Sequence, residues 1–334
     1  MTDSNVLDPY ATHPAAIDAA AIADALGRVR AAVSSRVVGQ ETVVDEALVA
    51  FLARGHALLE GVPGTAKTLL ARVLAAALGA RFGRVQFTPD LMPADITGVS
   101  MLRDGARGFE FHPGPIFTDI LLADEINRAP AKTQAALLEA MAERQVTVDG
   151  KAHPLGDLFT VLATQNPVEY EGTYPLPEAQ LDRFLLKIRV DYPSEEAERA
   201  MLANHAAGFD AERTAGLLPA PVLDADAARR LRDAVDQVRV APEVQEYIAS
   251  LVRATRTEPA LTLGGSPRAT VALFRAARAA ALVAGRAFAT PDDVKDYALP
   301  VLRHRVLLAP ELEVEGRTPD DVLSSVLTRV PAPQ

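Results

Sequence analysis

Ile22, Leu26, Val29 and Val33 recur at helical spacing, and after the break Val37-Val38-Gly39-Gln40 the same rhythm returns in Val44, Ala47, Leu48 and Phe51. Two amphipathic helices are expected there. From His56 to Val190 the pattern changes to short apolar runs separated by helical ones. The runs Ala57 to Leu59, Val85 to Phe87, Ile120 to Ala123, Phe159 to Ala163 and Leu186 to Val190 predict buried strands, and their alternation with helices predicts a parallel α/β sheet. Two segments interrupt the alternation, Val99 to Phe111 around Asp104-Gly105 and Gln145 to Leu155 around Asp149-Gly150. Each reads as a hairpin with a tight turn.

After Tyr192-Pro193 the strand pattern stops. Ser194 before Glu195 and Glu196, Pro242 before Val244, Ser266-Pro267 and Thr290-Pro291-Asp292-Asp293 are helix starts, the last with capping-box spacing. The expected plan is a flexible lead-in over 1–16, an α/β core over 17–192 and a helical domain over 193–334.

Composition narrows the class. The 334 residues include no Cys and no Trp, and 34 Lys and Arg face 44 Asp and Glu for a formal net charge of -10. Without cysteine there is no disulfide framework, thiol nucleophile or thiolate metal site, which fits a reducing compartment. An acidic chain is repelled as a whole by nucleic acid and by anionic lipid. Met1 to Pro14 lacks the regions of a signal peptide, and no apolar stretch approaches the roughly 18 to 20 residues that span a bilayer. The expectation is a soluble cytoplasmic protein with no membrane insertion and no nucleic-acid partner.

The sharpest chemistry lies in Gly61-Val62-Pro63-Gly64-Thr65-Ala66-Lys67-Thr68, between the strand Ala57 to Leu59 and a helix bearing Leu69, Leu70, Val73, Leu74 and Leu78. A phosphate cradle needs this order: the loop turns backbone amides inward, the helix N-terminus adds partial positive charge, and a Lys reaches the terminal phosphates. Thr68 would coordinate Mg²⁺. Ala66 stands where a second Gly is usual, which is tolerable if its φ stays negative. The strand Ile120 to Ala123 runs into Asp124-Glu125, a candidate metal carboxylate and a candidate base or orienter of the attacking water.

Thr164-Gln165-Asn166-Pro167 ends the strand Phe159 to Ala163. A strand inserted between the loop strand and the acid strand would bring Asn166 to the γ-phosphate, although Asn-Pro is also ordinary turn chemistry. Arg183 precedes the last strand, opposite its own phosphate loop, and Arg268 opens a helix after Ser266-Pro267, where a cation opposes the helix dipole. Each is either a solvated or paired arginine or a partner for an anion. The six His are scattered, so a His metal site is not expected.

Taken together, these residues resemble the AAA+ ATPases, and within them the MoxR family, from about Val29 to Thr328. The most specific stretches are Gly61 to Thr68, Gly114-Pro115-Ile116-Phe117 through Asp124-Glu125-Ile126-Asn127-Arg128-Ala129, and Glu178 to Phe184. The resemblance implies a P-loop α/β sheet flanked by helices, with inserted β-hairpins and a small all-α lid, assembled as a ring, commonly a hexamer. It implies ATP/ADP and Mg²⁺ as ligands. By position, Lys67 and Thr68 match Walker A, Asp124 and Glu125 Walker B, and Asn166 the first sensor. Arg183 matches the finger reaching into a neighbouring subunit's site, Arg268 the second sensor on the lid, and Val38-Gly39 the segment against adenine. Arg128 is a further candidate for action between subunits.

The inserted hairpins resemble those of magnesium chelatase ATPase subunits and are either pore- or partner-facing elements or plain solvent-exposed ribbons. The implied function is an ATP-hydrolysing remodelling motor on protein complexes, usually with a von Willebrand A domain partner. Alternatives are a metal-chelatase motor subunit, a nucleotide-dependent scaffold without turnover, and a DNA motor, the last disfavoured by charge.

Overall fold

The computed structural model describes residues 18–102, 109–167, 173–209 and 218–333; the lead-in over 1–16 and the Asp104-Gly105 turn lie outside them. The chain opens with α1 (Ala19–Ser34), capped by the Asp18 carboxylate, and α2 (Glu41–Leu52). Then follow β1 (Ala57–Glu60), α3 (Lys67–Ala77), β2 (Phe82–Gln86), α4 (Pro93–Thr97), β3 (Gly98–Leu102), β4 (Phe109–Pro113) and β5 (Ile120–Asp124). A 3-10 turn (Ile126–Arg128) leads to α5 (Ala131–Glu143), β6 (Gln145–Val148), β7 (Lys151–Pro154), β8 (Thr160–Gln165), α6 (Glu178–Leu181) and β9 (Leu186–Arg189).

Five of these strands form one parallel sheet in the order β2-β5-β8-β1-β9. β8 therefore lies between the strand of the Gly-rich loop and the strand of the acid pair, as the Asn166 argument required. Alternate side chains enter opposite cores. Leu58, Leu121 and Phe159 face α5 through Leu137, Leu138 and Met141, while Leu59, Ile120 and Leu122 face α1, α2 and α3. The two inserted segments are antiparallel hairpins, β3 with β4 and β6 with β7. Asp149 and Gly150 at the second turn both have positive φ, 50° and 73°, the geometry of a two-residue hairpin turn. The hairpins are joined where the Phe111 ring stacks on His153, centroids 3.9 Å apart.

Beyond the sheet come α7 (Glu195–Ala206), α8 (Ala225–Val235), α9 (Pro242–Arg256), β10 (Leu261–Leu263), α10 (Pro267–Val283) and α11 (Pro291–Leu302). β11 (Leu307–Leu308), α12 (Pro310–Val314) and α13 (Pro319–Arg329) complete the described chain. The helix starts at Ser194, Pro242, Ser266 and Thr290 fall where expected, and Thr290 with Asp293 forms the capping box. One expectation needs correction: strands do not end at Tyr192, because β10 and β11 pair as a short antiparallel ribbon in the helical region. Runs of three and two residues carry too little alternation to register as strands in the sequence.

The helical region docks on the α1–α2–α3 side of the sheet. Ala269, Ala272, Leu273, Ala276 and Ala280 of α10 share one core with Val29, Val44, Leu48 and Phe51. α11 closes the free edge of β9: Arg303 Nη1 donates to the Lys187 carbonyl at 3.1 Å, satisfying an edge acceptor that would otherwise face solvent.

Candidate active site

At the carboxyl ends of β1, β5 and β8 the chain surrounds a cavity of about 1110 Å³. Pro63 to Thr68 form its floor, Asp124, Glu125, Thr164, Gln165 and Asn166 one wall, and Val38 the rim. Parallel β1, β8 and β5 deliver these loops side by side, so five of the residues singled out for phosphate chemistry, Lys67, Thr68, Asp124, Glu125 and Asn166, line one space.

The Gly-rich loop departs from expectation at one residue. Ala66 has φ +61° and ψ 21°, left-handed rather than negative, just after Gly64 at φ +83°. The loop has to reverse direction to aim its amides inward before α3 begins, and that reversal demands a positive φ whether or not the residue is glycine. An alanine there costs about 1–2 kcal/mol. Lys67 Nζ donates to the carbonyls of Gly61 at 2.8 Å and Val62 at 2.7 Å, and reaches Thr65 Oγ1 at 3.3 Å. Burial lowers the Lys67 pKa, opposed by the nearby charges of Asp124 and Glu125.

The acid pair is held in a fixed arrangement. Thr164 Oγ1 donates to Asp124 Oδ1 at 2.6 Å and accepts the Glu125 N–H at 2.8 Å. Glu125 is itself left-handed, φ 56° and ψ 51°, so the strand breaks between the two acids and both carboxylates turn to the cavity. Gln86 Nε2 donates to Glu125 Oε2 at 2.7 Å, and Arg128 Nε lies 3.2 Å from the same oxygen. Arg84 forks onto Asp124 Oδ2 with Nη2 at 2.7 Å and Nε at 3.2 Å.

Thr68 Oγ1 stands 3.5 Å from Asp124 Oδ2, a hydroxyl and a carboxylate fitted to share one divalent cation. Among the described residues no group of three or more His, Cys, Asp or Glu could enclose a metal. A cation here would complete its shell with water and phosphate oxygens, as Mg²⁺ does in phosphoryl-transfer sites.

The structure separates two predicted residues from this cavity. Arg183 does not line it: the residue precedes β9, whose Leu186 pairs with Ala57 at the entry end of β1, while the Gly-rich loop leaves the exit end. Arg268, expected as the second sensor on the lid, does not line this cavity either. Docking of α10 on α1 and α2 brings the start of α10 to the Arg183 segment instead, with Arg268 Nη1 3.9 Å from Asp182 Oδ2. Gly61, Val62 and Gly39 also stand behind the lining. Gly39, at φ +74°, leaves room for α7, since a Cβ there would meet the Ala197 Cβ at 2.4 Å.

Sequence reasoning missed further contributors. Arg84 and Gln86 are alternate polar positions in β2, a pattern visible only once β2 is known to lie beside β5. Thr164 stood in the quoted Thr-Gln-Asn-Pro run without a role. The outer wall comes from Tyr192 and from Glu198, Met201, Leu202 and His205 of α7 with Phe209. Met201 and Leu202 are exposed apolar neighbours on a short helix, and that was the available signal.

Residues 56–186 match the model of the ATPase family associated with various cellular activities (AAA), and residues 253–326 match the AAA lid domain. The chain is 46% identical over 308 residues to the uncharacterized protein YeaC of Bacillus subtilis, covering 92% of this chain and 95% of that one. It is 43% identical to Chaperone MoxR1 of Mycobacterium tuberculosis, covering 89% of this chain and 80% of that one. Protein MoxR of Methylorubrum extorquens is 33% identical, with 93% and 96% covered. A crystal structure of a candidate ATPase from Cytophaga hutchinsonii superposes with a TM-score of 0.86 at 37% identity, over 95% of this chain and 97% of that one.

Proposed function

Because the chain belongs to the MoxR family of AAA ATPases, we propose that it binds ATP in the cavity described above and hydrolyses it to ADP and phosphate as a chaperone-like motor on protein complexes. The carrying observation is the convergence of Lys67, Thr68, Asp124, Glu125 and Asn166 on one cavity. Phosphoryl transfer depends mainly on positioning and charge stabilisation, and each of these residues supplies one such element.

Amides from Gly64 to Thr68 and the positive end of α3 receive the phosphates. Lys67 exchanges its carbonyl partners on the loop for phosphate oxygens, whose negative charge favours the ammonium and opposes the lowering of its pKa by burial. Thr68 and Asp124 would hold Mg²⁺, which neutralises charge on the phosphates. Glu125 turns toward the attacking water and accepts its proton once its link to Gln86 opens. Asn166 holds that water from the neighbouring loop. Val38 and the apolar side chains of α7 enclose the base.

The reaction is completed between chains. Arg183 faces away from its own loop, and an arginine supplied in trans contributes about 10³ to 10⁵ in rate. Assembly as a closed ring, commonly a hexamer in this family, gives every cavity such a donor. We assign the exposed hairpin β3–β4, with Phe109 76% and Leu102 68% exposed, to contact with a protein substrate or with a partner carrying a von Willebrand A domain.

The test is the ATPase rate per subunit against protein concentration, for the wild type and Glu125→Gln. The expected rate per subunit rises with concentration, and the variant loses about 10² to 10³ in kcat. Clear ATP binding with no turnover at any concentration, even with candidate partners added, would overturn the motor reading in favour of a scaffold.

A further inference from the structure

In the run Asp182-Arg183-Phe184-Leu185, one lid arginine grips every residue except Arg183. Arg305 lies three positions beyond α11 with its side chain 3% exposed. Its Nε donates to Asp182 Oδ1 at 2.7 Å, and its Nη2 donates to the carbonyls of Asp182 at 3.1 Å and Phe184 at 2.5 Å. Its Nη1 donates to the Leu185 carbonyl at 3.0 Å and to Val301 within the lid. A guanidinium presents its donors in one rigid plane, so several bonds to one loop fix the loop's orientation as well as its distance. The start of α10 adds a second hold on the other carboxylate oxygen of Asp182: Ser266 Oγ donates at 3.5 Å and Arg268 Nη1 lies at 3.9 Å.

Arg183 itself is exposed, and its Nη1 donates to the Leu138 carbonyl of α5 at 3.3 Å, on the core side. A clamp that served only to cover the sheet edge would be redundant, because Arg303 already anchors β9 through the Lys187 carbonyl. The Arg305 bonds instead bracket Arg183 on both sides.

We propose that Arg305 and Asp182 are positioning residues for Arg183: through them the lid of one chain sets where the Arg183 guanidinium stands in the adjoining chain's site. The inference rests on the inter-subunit role of Arg183 proposed above. A lid that shifts when its own chain exchanges nucleotide then carries that shift to the next cavity through Asp182. Loss of the tie impairs turnover in the neighbour and leaves ATP binding in the same chain intact.

Mixed assemblies test both layers. A Glu125→Gln chain keeps its Arg183 but cannot use its own site; an Arg183→Ala chain keeps its site but lacks the donor. Mixing the two folded chains recovers turnover if Arg183 acts in trans, and no recovery would overturn that reading and this one with it. Asp182→Asn is then added to one chain at a time. On the Glu125→Gln chain it lowers the recovered kcat about tenfold or more with unchanged affinity for a fluorescent ATP analogue. On the Arg183→Ala chain it changes nothing. Equal losses in the two placements would make the tie a plain structural clamp, and no loss in the first would dismiss it; Asp182→Glu, which restores the charge, recovers part of the rate. Thermal melts of each chain alone verify folding, and Arg305→Lys on the donor chain gives the same one-sided loss if Asp182→Asn fails to fold.

Discussion

Arg84 and Asp124 form a forked ion pair on the oxygen that Thr68 also approaches, with Arg84 Nη2 at 2.7 Å and Thr68 Oγ1 at 3.5 Å from Oδ2. The same guanidinium donates to Gln86 Oε1 at 2.7 Å, and Gln86 in turn donates to Glu125. One surface-facing arginine on the edge strand thus touches both acids of the site, directly or through one amide.

A cation on Asp124 Oδ2 must displace Arg84 to bind. Arg84→Ala is therefore expected to lower the Mg²⁺ concentration that half-saturates nucleotide binding by about 3- to 10-fold, a charge-assisted contact discounted for its half-exposed side chain. Fluorescent nucleotide titrations at graded Mg²⁺ check this. An unchanged or raised Mg²⁺ requirement would show that Arg84 does not compete for the carboxylate.

Ala66 carries backbone strain that glycine would not. Ala66→Gly removes about 1–2 kcal/mol of left-handed cost and returns about 0.5–1 kcal/mol in unfolded-chain entropy. The expected melting temperature is unchanged or slightly raised. Ala66→Val, branched at Cβ, is expected to lose stability and phosphate binding together. Calorimetry of the two variants decides, and a marked destabilisation by glycine would contradict the strain argument.

His56 makes stability depend on acid. Its Nδ1 accepts the Val161 N–H at 2.9 Å and its Nε2 faces the Met141 carbonyl at 3.3 Å, a pairing that requires the neutral ring. Burial, reinforced by Arg144, pushes its pKa from 6.5 down to about 3. The unfolded chain therefore binds a proton that the folded chain refuses. The contribution is complete above pH 6.5 and is lost as pH falls toward 3, at up to about 1.4 kcal/mol per pH unit. Denaturant titrations between pH 4.5 and 8 should show a shallower slope for His56→Gln; equal slopes would remove His56 as the source.

Met201 and Leu202 are exposed beside the cavity, so truncating them sacrifices little in the free protein. Met201→Ala is expected to weaken ATP-analogue binding by about 3- to 10-fold, the apolar area a bound base would cover, while the melting temperature holds. Unaltered affinity would move the base away from α7.

Much of the sheet was legible because its strands are buried on both faces and read as continuous apolar runs. The floor and acid wall of the cavity were legible because Lys67, Thr68, Asp124 and Glu125 sit at fixed offsets from those runs. Arg84 was hidden because its relevance comes from strand order, and Arg268 because its location depends on how α10 packs against helices far away in sequence. The φ of Ala66 was misjudged for a third reason: the side chain tolerated by a turn says little about the turn's handedness.

The docking of α10 on α2 has a consequence for biosynthesis. Arg275 donates to the Ala53 carbonyl across 222 residues of sequence. At roughly 5–20 residues per second, a ribosome takes about 10–45 s to add that span. Throughout that interval the part of the α1–α2 surface that α10 covers lacks its native partner, so the newborn chain depends on holding factors or transient collapse there until its last third emerges.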